Sequence, residues 1–181
     1  MQPARALLKT LHEIANEDRY LFTPSDFAGL VPEMANSAFK SLLSRLVSRG
    51  ELTRVCRGLY CPVWIDISHG WILYHAAARL RSDTFTYLSL ESVLSEAGII
   101  SQVPMHNITL MTRGRGGDIR CGDLGRIAFT RTTQSADQVM DHLSYDPDRR
   151  LWIADTVQAL RDLRQTRRNL DLLEENPDES V

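Results

Sequence analysis

The strongest constraint on the fold is the order of two patterns between residues 35 and 61. Apolar residues at spacings of three and four predict an amphipathic helix over residues 35–49. Alternating residues over 51–61, interrupted at Arg57-Gly58, predict a β-hairpin directly afterwards. Gly50 suits the end of the helix because glycine adopts the left-handed conformation that commonly ends helices. These residues therefore predict a helix that runs straight into a hairpin.

Two further helices are predicted before this pair. Residues 4–17 carry apolar residues on one face, which predicts a first helix. Thr23 as the cap, Pro24 at the first position and Asp26 in the first turn predict the start of a short second helix. Helix, helix, helix and hairpin is the order of a winged helix-turn-helix, which we assign to residues 1–65.

The second half, residues 66–181, mixes helical and strand patterns. The elements predicted here are a helix over 69–81, a strand over 84–87, a helix begun by Ser89 and ended by Gly98, strands over 107–112 and 126–132, a possible strand over 119–121, and a long last helix over 152–172. An acidic tail over 174–179 follows and is expected to fray. The fold class is therefore α+β, with a mixed helix and antiparallel-strand domain after the winged helix.

Charge distribution says more than net charge. The formal net charge of the chain is −2, which by itself does not favour a nucleic-acid partner. Residues 34–65, however, hold five basic residues against the single acid Glu51, a local excess of 5 − 1 = +4. Such a local excess is what a phosphate backbone would attract.

The candidate DNA-binding residues lie on the third helix and on the hairpin. The second helix of a helix-turn-helix motif enters the major groove with its N-terminal residues at the base edges, while basic groups hold phosphates. The candidates are Asn36, Ser37, Lys40, Ser41, Arg45, Arg54 and Arg57. Two alternatives stay open: the helix face is only solvated, or Arg54 or Arg57 pairs with Glu51 or with the final acidic residues.

A possible secondary DNA-binding set lies in the second half. Arg113 and Arg115 belong to a glycine-rich stretch over 113–118, which is either a flexible loop between strands or a contact for an anion. Arg164, Arg167 and Arg168 cluster on the last helix. The alternative for this helix is a solvated face whose arginines pair with Asp155, Asp162 and Asp171.

No pattern indicates catalysis, a cofactor or a metal. The three cysteines and five histidines lack metal-ligand spacing, and no arrangement of nucleophile and base suggests an enzyme. An odd number of cysteines is consistent with a reducing compartment. No stretch has the length of a membrane span, so a cytoplasmic location is expected.

Several motifs resemble those of the AbiEi antitoxins. Residues 48–60 look like the end of the recognition helix and the "R-G-x-Y" wing of that family. Residues 87–98 are similar to its "S-x-E-S-A-L-x-x-x-G" helix, and residues 107–112 to the strand that follows. Residues 154–163 match its "E-K-A-L-x-D" helix only loosely.

The resemblance implies a type IV antitoxin that counteracts a nucleotidyltransferase-like toxin without forming a stable complex with it. It also implies that the winged helix binds inverted repeats in double-stranded operator DNA and represses its own operon. The C-terminal domain would carry the antitoxic function. The alternative is a protein-interaction module in which the winged helix is a scaffold and the second half binds the toxin or another protein directly.

Overall fold

The computed structural model describes residues 3–29, 34–66, 70–101 and 106–167. The chain divides into two compact units, Met1–Gly70 (unit 1) and Trp71–Val181 (unit 2). The sequence prediction places the boundary slightly earlier, after residue 65. Together the described helices and strands form an α+β fold.

Unit 1 contains three helices and a hairpin, in the order that the sequence predicts. The elements are α1 (Pro3–Ile14), α2 (Pro24–Ala28), α3 (Asn36–Ser48), β1 (Leu52–Cys56) and β2 (Leu59–Pro62). The predicted start of α2 is correct, because the Asp26 carboxylate accepts a hydrogen bond from the Thr23 backbone N–H at 2.6 Å. The strands turn at Arg57-Gly58, where Gly58 has a φ of +81° that favours glycine.

The core of unit 1 lies where the three helices meet the first strand. It is formed by Leu7, Leu11, Phe22, Phe27, Phe39, Leu42, Leu43, Leu46 and Leu52. Burying such side chains contributes about 1.5–3 kcal/mol each, before conformational entropy is subtracted. The hairpin is also tied to the helices through the backbone, because Phe22 and Tyr60 exchange two N–H···O bonds of 2.9 Å.

Unit 2 is a six-stranded sheet with four described helices. Its elements are α4 (Ile72–Leu80), β3 (Thr86–Leu88), α5 (Leu90–Glu96), β4 (Asn107–Thr112), β5 (Gly117–Arg120), β6 (Arg126–Arg131), α6 (Ala136–Val139), β7 (Leu143–Asp146), β8 (Leu151–Ala154) and α7 (Thr156–Thr166). The strand order is β5-β6-β4-β3-β8-β7. Short 3₁₀ turns lie between β5 and β6 and between α6 and β7.

The expected antiparallel arrangement of unit 2 is only partly correct. Strands β4 and β6 pair in parallel, and so do β3 and β8. The reason lies in the connections. After β4 the chain first forms β5 at the edge of the sheet. It then turns back into β6, which lies between β5 and β4 and therefore runs parallel to β4. The sheet is therefore mixed.

The predicted last helix begins too early. Leu151–Ala154 forms β8, and α7 starts only at Thr156 after the cap residue Asp155, whose side chain accepts from the Gln158 N–H. The short apolar run at 151–154 fits a strand as well as a helix, and pairing with β3 and β7 decides between them. The predicted continuation to residue 172 and the acidic tail lie outside the described residues.

Candidate nucleic-acid interface

The outer face of α3 is polar and exposed, while its inner face is buried. Phe39, Leu42, Leu43 and Leu46 lie in the core of unit 1. The exposed side chains are those of Ser37, Lys40, Ser41, Ser44, Arg45 and Ser48. Asn36 begins α3, but its side chain lies outside the described part of the structure. The helix therefore presents one continuous row of short hydroxyls with Lys40 and Arg45 beside it.

Two serine hydroxyls of α3 donate to their own helix. Ser41 Oγ donates to the Ser37 carbonyl at 2.9 Å, and Ser48 Oγ donates to the Ser44 carbonyl at 3.0 Å. Bonds of this kind to the preceding turn are common for serine within helices. Each of these two exposed hydroxyl oxygens can still accept a hydrogen bond, while Lys40 and Arg45 can donate.

Two arginines of the hairpin extend the basic surface. Arg54 and Arg57 are both exposed, and Arg54 Nε lies 3.4 Å from the Cys56 carbonyl oxygen, which holds that side chain along the turn. Within the described residues, neither has an ion pair with a carboxylate, and Glu51 is not a partner of either. The predicted alternative of pairing with Glu51 is therefore not observed, and pairing with the final acidic residues falls outside the described residues.

The hairpin has a fixed position relative to α3. The Glu51 N–H donates to the Leu46 carbonyl at 2.9 Å, which ties the first strand to the last turn of the helix. Leu52 and Leu59 are buried on the inner side of the strands. The register shifts between Arg54 and Cys56, which makes Val55 the bulged residue. The cations of helix and hairpin thus belong to one packed body, unit 1.

The residues predicted as a secondary surface fall into two separate places in unit 2. Arg113 and Arg115 lie exposed in the connection between β4 and β5, whereas Arg164 and Arg167 lie at the end of α7. No hydrogen bond or ion pair among the described residues joins the two pairs. Arg168 lies outside the described residues.

Residues 113–116 form the predicted connection between strands, and its backbone runs close to its neighbours at two glycines; its flexibility stays a prediction. A Cβ on Gly114 would meet Thr84 at 3.0 Å, and a Cβ on Gly116 would meet the Phe129 carbonyl oxygen at 3.1 Å. Residues from Gly117 onward already belong to β5. The glycines are needed because the backbone passes close to its neighbours.

Arg81 was not among the sequence candidates, although it holds this connection. Its guanidinium lies 4.3 Å from the centre of the Phe129 ring and donates to the Arg115 carbonyl at 2.8 Å. Desolvation lowers the pKa of Arg81, and the positive charge of Arg115 adds to this effect while Asp83 opposes it. Arginine stacks on aromatic rings in this way. Sequence patterns give no signal for such a contact, because Arg81 and Phe129 are far apart in the chain.

The expected surface pairing of Asp162 is also wrong. Asp162 is fully buried and accepts hydrogen bonds from Tyr87 Oη at 3.0 Å, Ser89 Oγ at 2.7 Å and Gln158 Nε2 at 2.8 Å. Burial raises the pKa of Asp162, and the three donors act in the opposite direction. The Ser89 hydroxyl therefore joins α7 to the β3–α5 junction instead of capping α5.

The described residues do not assemble a metal centre. No group of three or more His, Cys, Asp or Glu side chains among them could hold an ion. Cys56, Cys61 and Cys121 are buried and carry no disulfide, and desolvation raises the pKa of the Cys61 thiol to about 12. Such a thiol is unreactive at neutral pH because the thiolate is the nucleophile. No described helix is long and apolar enough to cross a membrane.

Three comparisons place the chain among known proteins. No curated protein matches it. A search of solved structures matches the RV2827C protein from Mycobacterium tuberculosis, at 17% sequence identity and a TM-score of 0.48, over 83% of this chain and 53% of that one. The chain thus spans about half the length of that protein. Residues 10–63 match the family model described as "Transcriptional regulator, AbiEi antitoxin", so the resemblance to the AbiEi antitoxins is confirmed for the segment that holds α2, α3 and the hairpin.

Proposed function

We propose that unit 1 is a winged helix-turn-helix that binds operator DNA and represses the operon encoding this protein. The observation that carries the proposal is the set of exposed cations on α3 and the hairpin, which have no carboxylate partner among the described residues. Lys40, Arg45, Arg54 and Arg57 form this set, which we call the basic face. In this function α3 lies in the major groove and the hairpin contacts the phosphate backbone or the minor groove.

The match of residues 10–63 to a family of antitoxin regulators supports a second activity. We infer that the protein is the antitoxin of a type IV system and counteracts a nucleotidyltransferase-like toxin in the cytoplasm. Unit 2 carries this activity in the proposal, without forming a stable complex with the toxin. No catalytic step is assigned to this chain, which acts as a binding protein.

The central test is the double variant Lys40→Ala with Arg57→Ala. Its affinity for a promoter fragment containing inverted repeats should fall, because each phosphate contact depends on a cation. The slope of log affinity against log salt concentration should become shallower by about 0.9 for each phosphate that the variant no longer neutralises. Gel-shift titrations at several salt concentrations measure both quantities.

A matched control removes two charges that already have partners. Lys9 pairs with Glu13 at 3.9 Å, and Arg126 pairs with Asp118. The double variant Lys9→Ala with Arg126→Ala should keep the affinity within about threefold, because surface pairs of this kind contribute little. Equal reductions in both double variants, or unchanged affinity in the first, would remove the basic face from consideration.

We further propose that Arg113 and Arg115 form a secondary DNA contact held in position by Arg81. Both guanidinium groups lie at the surface, and the bond from Arg81 anchors the backbone at Arg115, which lowers the entropy lost when a phosphate is bound. Arg164 and Arg167 are a second, weaker proposal, because nothing in the described part of unit 2 fixes their side chains. Arg113→Ala with Arg115→Ala should weaken DNA binding by less than the change to the basic face.

A protein-interaction role is the alternative function, and one observation favours it. Trp71 in unit 2 is 38% exposed and lies edge-on to Tyr74, with the Arg149 guanidinium 5.5 Å from its ring. Trp, Tyr and Arg are the residues most enriched at protein interfaces. Co-elution of antitoxin and toxin in size exclusion would favour this role, whereas separate elution would favour antagonism without a stable complex.

A further inference from the structure

A cavity of about 340 Å³ opens in unit 1 between the start of α1 and one flank of α3. This volume lies at the lower end of the range for small-molecule sites. Its lining residues are Pro3, Ala4, Met34, Leu42, Arg45, Leu46 and Arg49. None of the sequence predictions and none of the proposed functions assigns a ligand to this cavity.

The floor of the cavity is built from apolar residues, of which Ala4 and Met34 are the partly exposed ones. Leu42 and Leu46 lie one helical turn apart on α3 and belong to the buried core of unit 1. Ala4 and Met34 pack against the same core from α1 and from the residues before α3. A ligand that reaches this floor binds more tightly, because its hydrocarbon surface is removed from water.

The rim of the cavity is positively charged. Arg45 and Arg49 are one turn apart on the same flank of α3, and both are exposed. Within the described ranges neither forms an ion pair, and the first turn of α1 contains no acidic residue. Like charges at positions i and i+4 repel each other, so an anion between the two guanidinium groups would relieve that repulsion. An arginine guanidinium can donate two parallel hydrogen bonds to the two oxygens of a carboxylate. An anion with one oxygen cannot accept both in this geometry.

We propose that this cavity binds a small amphipathic carboxylate. The carboxylate lies between Arg45 and Arg49, and a short acyl chain or a single aromatic ring lies against the partly exposed Ala4 and Met34. Neither half of the site accounts for the ligand alone: the arginines select the charge, and the apolar residues Ala4 and Met34 select the apolar body. All the described residues that line the site belong to unit 1.

Ligand binding has a consequence for DNA that rests on the proposed function. Arg45 belongs both to the rim of the cavity and to the basic face. A carboxylate bound to Arg45 removes that cation from the phosphates, so ligand and DNA compete. Such competition would make repression sensitive to a metabolite, with a coupling equal in both directions.

The test uses sodium octanoate as the probe and the full chain without DNA. Backbone amide shifts measured by NMR during the titration should change at the start of α1 and along the flank of α3. Acetate, inorganic phosphate and octanol serve as probes that each lack one half of the required chemistry. We expect each of them to bind at least about tenfold more weakly than octanoate, because every one forgoes either the apolar floor or the charged rim.

Two variants separate the contributions of charge and space. Arg49→Met keeps a long side chain but removes the cation, and should weaken octanoate binding about tenfold or more. Ala4→Phe fills the cavity and leaves both arginines, and should abolish octanoate binding. Arg120→Met, which removes an exposed arginine in unit 2, should leave it unchanged. The amide spectrum of each variant shows whether it is folded.

Several outcomes would overturn the proposal. Phosphate or acetate binding as tightly as octanoate would make the site a plain anion site, and octanol binding equally would make it a plain apolar pocket. Unchanged octanoate affinity in Arg49→Met or in Ala4→Phe would place the ligand elsewhere. Because the titration contains no DNA, its failure is distinct from a failure of the proposed repressor function.

Discussion

Cations of unit 1 and unit 2 differ in what lies beside them. On the basic face, Lys40 and Arg57 are exposed and have no carboxylate partner among the described residues. In unit 2, Arg149 forms ion pairs with Glu96 at 2.9 Å and with Asp146 at 3.5 Å. Arg149 therefore contributes to the fold of unit 2, whereas Lys40 and Arg57 stay available in unit 1. The absence of a carboxylate partner among the described residues, more than the number of arginines, is the observation behind the proposed phosphate-binding surface.

Reversing one available charge should give the largest effect. Arg57→Glu replaces attraction to a phosphate by repulsion and should lower operator affinity about 100-fold. In free energy, this loss is roughly twice that of removing a single phosphate contact. Arg120→Glu makes the same change on an exposed strand of unit 2 and should stay within about threefold. Fluorescence anisotropy at one fixed salt concentration measures both variants. A similar reduction in the two would mean that overall charge, and not the basic face, governs binding.

Removing a partnered cation should affect stability instead. The Arg149 guanidinium also lies 4.9 Å from the centre of the Tyr74 ring, and its side chain is only 17% exposed. Arg149→Met should therefore lower the free energy of unfolding by about 1–2 kcal/mol. Arg57→Met should change it by less than about 0.5 kcal/mol, as is usual at the surface. Urea denaturation of both variants checks this difference. Equal changes in the free energy of unfolding would contradict the difference between the two units.

The smallest effect should appear in the pH dependence of two carboxylates joined to α7. Burial raises the pKa of Asp162, so its stabilising contribution is fully present below the unfolded pKa of about 3.9 and is lost as pH rises through the folded pKa. Desolvation also acts on Asp155, but the Gln158 N–H and His142, 2.7 Å away, lower its pKa. Its contribution is therefore present above about pH 3.9 and is lost as pH falls through the folded pKa.

The two asparagine variants should consequently show opposite trends. Relative to the unchanged protein, Asp162→Asn should gain free energy of unfolding as pH rises, and Asp155→Asn should lose it. Urea denaturation at a series of pH values from about 3 to 8 covers both transitions. Trends of the same sign would contradict the assigned environments of the two carboxylates.

The sequence predicts unit 1 well because its signals are local. Spacing of apolar residues, a cap at Thr23 and glycines at 50 and 58 each act within a few residues of the chain. Unit 2 depends on pairing between distant strands. The run at Leu151–Ala154 becomes a strand only because β3 and β7 lie on either side of it, and no local pattern carries that information.

The candidate interface follows the same division. The exposure of Lys40 and Arg57 was predictable, since a helix stripe and a turn assign faces from the sequence alone. The burial of Asp162 was not, because its donors Tyr87 and Ser89 are more than seventy positions away. A charged residue on an amphipathic helix is expected to be solvated unless its distant partners are known. Arg81 was missed for the same reason.

The hydrogen-bonding state of the α3 serines has a consequence for base recognition. A hydroxyl that donates its proton to a carbonyl of its own helix can only accept from a base, unless it gives up that internal bond. In the major groove the exocyclic amino groups of adenine and cytosine are the donors, whereas guanine and thymine offer acceptors. Opposite Ser41, we therefore expect the operator to favour adenine or cytosine, with guanine left for Lys40 or Arg45 to read.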